Sequence, residues 1–269
     1  MPKVRVADDC ELYYEISGQG EPIIFIGGYI ADHLVWENII QTFAQHYQVI
    51  TFDNRGVGYS DVPDYPYLLD MFVNDLVKLC AQLGVESAIF CGSSMGGHIL
   101  QVLAYRYPKL VKAAVLCNTS SNVDERFMIF AEGYLELRKA NAPLRSMIKI
   151  NIPWCFSENY LSVAEQKNAM IDLWTNNPNP ITVQGQEYQH HALKTFEGTR
   201  AFVSKINVPC LVIGSGQDLI VPEAETRWLA DNIPNAELCF FENNGHLPWI
   251  EAPEIFCGKV FSYLEKKGL

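Results

Sequence analysis

Gly92-Ser93-Ser94-Met95-Gly96 places one serine, Ser94, with a glycine two residues away on each side. A serine hydroxyl is a poor nucleophile until a base takes its proton. Two residues of the right type follow it. Asp218 comes after Gly214-Ser215-Gly216-Gln217, and His246 ends Asn243-Asn244-Gly245-His246. Histidine accepts a proton near neutral pH, and a carboxylate fixes its tautomer and stabilises the imidazolium. Ser94, Asp218 and His246 are therefore the candidate nucleophile, acid and base. The spacing selects Ser94 over Ser93, which is expected to support the turn.

The G-x-S-x-G run carries weight because of where it lies. A strand precedes it, read over 87–91, and a helix follows, read over 97–107. A sharp strand-to-helix turn holds its serine in a strained conformation above the sheet edge, with the free N–H groups of the helix start beside it. The flanking glycines are expected because a side chain would clash where strand and helix approach. Acyl transfer also needs donors for the developing oxyanion. The Met95 backbone N–H is one candidate. The Tyr29 N–H is the other, in the loop after a strand over 22–26, where Gly27-Gly28 permits close backbone approach.

The elements that must position these residues alternate. Strands are expected over 12–16, 22–26, 48–52, 87–91 and 111–117, with helices over 34–46, 70–83 and 97–107 between them. This rhythm implies a mostly parallel sheet with helices on both faces, an α/β fold. It stops near Ser120. Helical patterns follow over 125–139 and 162–174, with many bulky apolar residues, among them Phe127, Phe130, Tyr134, Trp154 and Trp174. Strands at 210–213 and 237–241, helices over 224–231 and 253–267, resume the rhythm. Asp218 and His246 thus leave the carboxyl ends of strands, where sites in open α/β sheets gather. The expected division is a core of 1–118 and 201–269 with a helical insertion at 119–200.

Composition narrows the classes. Apolar residues at 49 % and charged residues at 19 % supply a substantial core and argue against disorder. A net charge of −11 repels phosphate backbones, so no nucleic acid is expected as a partner. No run reaches the ~18 apolar residues of a membrane span, and the first residues lack the apolar stretch of a signal peptide. The eight cysteines form no CxxC pair and no metal spacing, and read as buried, reduced thiols of a cytoplasmic protein. No metal site and no phosphate-binding glycine loop is visible, so no cofactor is expected. His98 reads as a packing residue and His190-His191 as a solvated pair.

With these residues in place, the chain resembles the α/β-hydrolase superfamily along nearly its whole length. Asp53-Asn54-Arg55-Gly56-Val57-Gly58-Tyr59-Ser60 is similar to the D-x-R-G-x-G-x-S loop of its ester-hydrolase members, where that loop is mostly scaffold. Gly245-His246 to Pro253 is similar to their GH-x-x-x-x-E-x-P segment. The nearest likeness is to small carboxylesterases and enol-lactonases. The resemblance implies an inserted helical cap that roofs the pocket, and hydrolysis of a small ester, lactone or related acyl substrate. Alternatives on the same trio are a carbon–carbon bond hydrolase, a perhydrolase, an acyltransferase, or a ligand receptor on this fold. One departure is Gly27-Gly28, where the family usually carries His-Gly, the histidine helping to hold the loop.

Overall fold

A strand that is apolar throughout must be covered on both faces. The run at 22–26 and the largely apolar, wholly buried run at 88–93 lie side by side at the centre of the sheet. The computed structural model describes residues 1–269. Its strands are β1 (Lys3–Ala7), β2 (Cys10–Ser17), β3 (Pro22–Ile26), β4 (Gln48–Phe52), β5 (Ala88–Ser93), β6 (Val111–Cys117), β7 (Cys210–Ser215) and β8 (Glu237–Phe241). They form one sheet in the order β1-β2-β4-β3-β5-β6-β7-β8. Pairing is parallel from β4 to β8, and antiparallel for β1 with β2 and β2 with β4. The order reverses between β3 and β5, which opens a crevice at their carboxyl ends.

Helices cover both faces. Among them α1 (Glu37–Ala44) packs with α11 (Pro253–Lys266), and α2 (Leu69–Gln82) with α3 (Met95–Arg106). In α3 every residue from Met95 to Ala104 is buried, so this helix is central rather than amphipathic. Between β6 and β7 the chain inserts α4 (Glu125–Lys139), α5 (Leu144–Cys155), α6 (Glu158–Ser162), α7 (Ala164–Thr175) and α8 (Val183–Lys194). This is the expected helical cap. After β7 come α9 (Glu223–Asn232), β8, the short α10 (Pro248–Glu251) and α11. No helix is long and apolar enough to cross a membrane.

Several elements depart from the sequence reading for physical reasons. β1 is a short edge strand of alternating exposure whose charged residues hide the pattern. The expected helix 34–46 begins as a 3-10 turn, His33–Trp36, capped by the Asp32 carboxylate on Leu34 N. α5, in a stretch for which no element is expected, carries Pro153 in its last turn. α8 has no long apolar stripe because its buried face is largely polar, with Gln186, Gln189 and His190 inside beside Ala192 and Leu193. His190 is therefore not part of a solvated pair. It is buried, and His191 is half-buried with Nδ1 at 3.0 Å from the Tyr67 carbonyl.

Candidate active site

Ser94 stands between β5 and α3 with φ 54° and ψ −118°, a left-handed conformation that a side chain adopts only under strain. Holding it costs about 1–3 kcal/mol, supplied by the surrounding packing. Its N–H donates to the Cys117 carbonyl at 3.0 Å, and its carbonyl accepts from Thr119 Oγ1 at 2.9 Å. The glycines follow from close approach. A Cβ on Gly96 would lie 2.3 Å from the Ile26 carbonyl oxygen, and one on Gly92 would lie 2.4 Å from that of Gly96. Strand β3 and the turn could not then meet.

The loop after β3 presses against the serine. A Cβ added to Gly28 would lie 3.2 Å from Ser94 Cβ and 3.8 Å from its Oγ. The next residue is Tyr29, and neither its N–H nor that of Met95 donates to any protein acceptor. One of these donors directly follows the serine in the chain, and the other follows the glycine packed against it. The loop is held without the usual histidine. Asn54 Nδ2 donates to the Gly27 carbonyl at 3.1 Å, and Gln189 Oε1 on α8 accepts from Ile30 N at 2.9 Å. Gln189 Nε2 donates in turn to the Arg55 carbonyl at 2.9 Å. The Asp53 loop anchors this arrangement. Asp53 Oδ1 accepts from His33 N at 2.7 Å and its Oδ2 from Tyr59 N at 2.8 Å. Arg55 meets the buried Asp75 carboxylate through two bonds of 2.6 and 2.7 Å.

Asp218 and His246 come together across their two loops. Asp218 Oδ2 lies 2.7 Å from His246 Nδ1, and both side chains are nearly fully buried. The other oxygen, Oδ1, accepts from Ile220 N at 2.8 Å and Val221 N at 2.9 Å. Asn118, just past β6, donates to Oδ2 at 2.9 Å and to Ser215 Oγ at 3.0 Å. An ionised carboxylate only accepts, so it places the imidazole proton on Nδ1 and leaves Nε2 free to accept.

The histidine loop is fastened from the cap. His246 N donates to the Cys155 carbonyl at 2.8 Å. Glu251 Oε1 accepts from Gly245 N and Ser157 N, both at 3.0 Å, while Oε2 accepts from Ser157 Oγ at 2.6 Å. The glutamate of the GH-x-x-x-x-E segment is thus a clamp between the cap and the histidine loop. Sequence reading missed Asn118, Gln189 and this role of Glu251. The first two lie at a strand end and in a polar helix, with no motif around them.

Ser94, His246, Gly28 and Tyr29 line one cavity of about 280 Å³ beneath the cap. Its walls are mostly apolar, with Phe127, Phe130 and Trp174 facing it. The cap aromatics do two jobs, because Phe130 also stacks on Trp154 at 4.5 Å and Trp174 packs on Phe156. Asp218 sits behind His246, away from the cavity. Met95 lines a much smaller neighbouring space with Ser94, His98 and Ser120. His98 is fully enclosed there, and burial pushes its imidazole down to about 4, the Ser120 hydrogen bond opposing only in part. The Tyr29 phenol is held well above its ordinary range by burial, so it stays a neutral donor. No cluster of three metal-ligating side chains exists in the structure.

The chain is 27 % identical over 262 residues to the 3-oxoadipate enol-lactonase 2 of Acinetobacter baylyi, covering 97 % of this chain and 95 % of that one. It is 26 % identical over 254 residues to the karrikin insensitive 2 receptor IA of Petunia hybrida, covering 90 % and 89 %. Among solved structures, the enol-lactonase from Burkholderia xenovorans LB400 superposes with a TM-score of 0.87 at 24 % identity, covering 98 % of this chain and all of that one. That likeness establishes the shared fold. The alpha/beta hydrolase fold family matches residues 21–253. The chain belongs to the alpha/beta hydrolase fold family.

Proposed function

We propose that the protein is a serine hydrolase that cleaves a small carboxylic ester or lactone through an acyl-enzyme. The observation that carries this reading is the convergence on one cavity of a strained serine, a histidine whose Nδ1 is engaged by a buried aspartate, and the loop of Tyr29, whose backbone N–H is unengaged. Ser94 Oγ attacks the carbonyl carbon and gives its proton to His246 Nε2. The oxyanion that forms is met by the Tyr29 and Met95 N–H groups. Collapse breaks the bond to the leaving oxygen, which takes the proton from His246. Water, deprotonated by the same nitrogen, then attacks the acyl carbon and returns Ser94. Asp218 keeps the imidazole oriented and stabilises its charged form. The cap, proposed as residues 119–200, sets which acyl and alcohol portions fit.

The test is a panel of aryl esters and lactones with the wild-type, Ser94→Ala and Ser93→Ala proteins. Ser94→Ala is expected to abolish turnover while remaining folded, and a fluorophosphonate to add one mass equivalent at Ser94. Wild-type turnover by Ser94→Ala would overturn the assignment. The likeness to a plant receptor favours a second reading, in which the cavity binds a ligand and turnover is incidental. Tight binding with a raised melting temperature, and very slow hydrolysis of every ester, would select it.

A further inference from the structure

α4 lays one stripe along the cavity: Phe127, Phe130, Ala131, Tyr134 and Arg138, at helical spacing. The last of these is out of place on an apolar wall. Seven of the chain's eight arginines pair with a carboxylate. Arg138 is the eighth. Of its five N–H donors, one bond is made, from Nη2 to the Ile181 carbonyl at 2.7 Å.

Two further polar groups share that wall. Gln186 is 0 % exposed, and neither its Oε1 nor its Nε2 has a hydrogen-bond partner in the protein. The Tyr29 hydroxyl lies alongside the Gln186 amide and is likewise without a closed bond. Buried polar groups left unpaired cost stability, and native proteins retain few of them. A cluster of one cation and two neutral donors, all lining the same cavity, is what an anionic ligand group would answer.

We propose that the substrate carries a carboxylate remote from its scissile bond, held by the Arg138 guanidinium with the Gln186 amide and the Tyr29 hydroxyl. The proposal rests on the serine-hydrolase reading and names the substrate class for that site. A guanidinium offers paired parallel N–H groups that match a carboxylate. One cation without other charge on its side of the wall suits a single negative charge. The two carboxylates that also line the cavity belong to another segment. Asp32 is already bonded to Asn177 and Leu34 N, and Glu37 is the exposed first residue of α1. Both disfavour an anion on their side and turn the substrate's acidic end toward α4 and α8. The protein is acidic overall, so this local cation decides the orientation.

Two esters of equal chain length separate the outcomes: 4-nitrophenyl hexanoate and the 4-nitrophenyl half-ester of adipic acid. The readout is the ratio of their kcat/KM values, adipate over hexanoate. The wild-type ratio is expected to be about tenfold or more, the size of a charge-assisted contact. Arg138→Leu should lower the ratio by about the same factor, and Arg138→Lys should restore part of it. A purely structural Arg138 would change both esters alike and leave the ratio in place. A wild-type ratio of one or less, or a ratio unmoved in Arg138→Leu, overturns the proposal. If neither ester is turned over, the hydrolase reading fails separately, and calorimetric binding of monomethyl adipate decides the anion site. Binding that weakens about tenfold in Arg138→Leu supports the site, and equal binding in both proteins overturns it.

Discussion

Asn118 donates to the same Asp218 oxygen that engages His246, at 2.9 and 2.7 Å. That oxygen is held from two sides, so the carboxylate cannot rotate away from the imidazole without breaking the Asn118 bond. Asp218→Asn keeps the size but removes the charge, and its amide can favour the wrong imidazole tautomer. A loss of kcat on the order of 10⁴-fold is expected. Asn118→Ala should lose far less, roughly tenfold, because a single supporting hydrogen bond is worth about 1–2 kcal/mol. Steady-state kinetics on one activated ester compares the two. Wild-type kcat in Asp218→Asn would place the acid elsewhere.

Glu251 accepts from Gly245 N, Ser157 N, Ser157 Oγ and, more weakly, Asn244 Nδ2. Gly245 N, Ser157 N and Asn244 Nδ2 only donate, so the new amide nitrogen of Glu251→Gln faces a donor and keeps a partner only if the Ser157 hydroxyl turns to accept. A stability loss of about 1–3 kcal/mol is expected, with a fall in kcat as the His246 loop loosens. Denaturant melts and kinetics on the same preparation check both. Stability equal to wild type would show that the clamp carries no net energy.

Gly28 already adopts a backbone open to alanine, so Gly28→Ala tests space alone. The new Cβ would crowd Ser94 Cβ at 3.2 Å and the Ser93 carbonyl at 3.3 Å. The loop must shift by a few tenths of an ångström, carrying the Tyr29 N–H with it. Removing an oxyanion donor outright costs about 10²–10³-fold in kcat, and a displaced one should cost less, about tenfold. The expected signature is a lower kcat with little change in KM. The reverse pattern would mean that this loop binds ground-state substrate instead.

His98 gives the pH dependence of stability a definite sign. Burial lowers its imidazole to about 4 in the folded protein, against about 6.5 when unfolded. Between these values the unfolded chain binds the proton and the folded one does not. This contribution is therefore fully present above about pH 6.5 and is lost progressively as pH falls toward 4. His98→Gln should flatten the fall in Tm over that window relative to wild type. An identical slope in both proteins would show that His98 titrates alike in the folded and unfolded states.

The sheet was legible because its central strands are unbroken apolar runs and its turns carry glycine. Helix α4 has the bounds expected from its helical pattern, and the Asp124 side chain caps its start with bonds to Arg126 N and Phe127 N. Ser94, Asp218 and His246 were legible from residue type and strand-end position, and the structure brings Asp218 against His246 and places Ser94 with His246 on one cavity. Helix α8 was not legible. Its buried side joins Gln186, Gln189 and His190 to only two apolar side chains, Ala192 and Leu193, so hydrophobic periodicity is weak where polar groups do much of the packing. Arg138 was equally hidden, because nothing in sequence distinguishes an arginine that pairs from one that does not.

The cap and the chemistry share fasteners. Gln189 on α8 holds the loop that carries Tyr29, while Ser157 and the Cys155 carbonyl hold the loop that carries His246. A cap that swung open as a lid would release both loops at once and dismantle the machinery it covers. Those bonds oppose opening of the cap as one body and favour passage through an aperture in a standing roof. Drift in substrate taste is correspondingly confined to the wall residues of α4, α5 and α7, which can vary without loosening a single fastener.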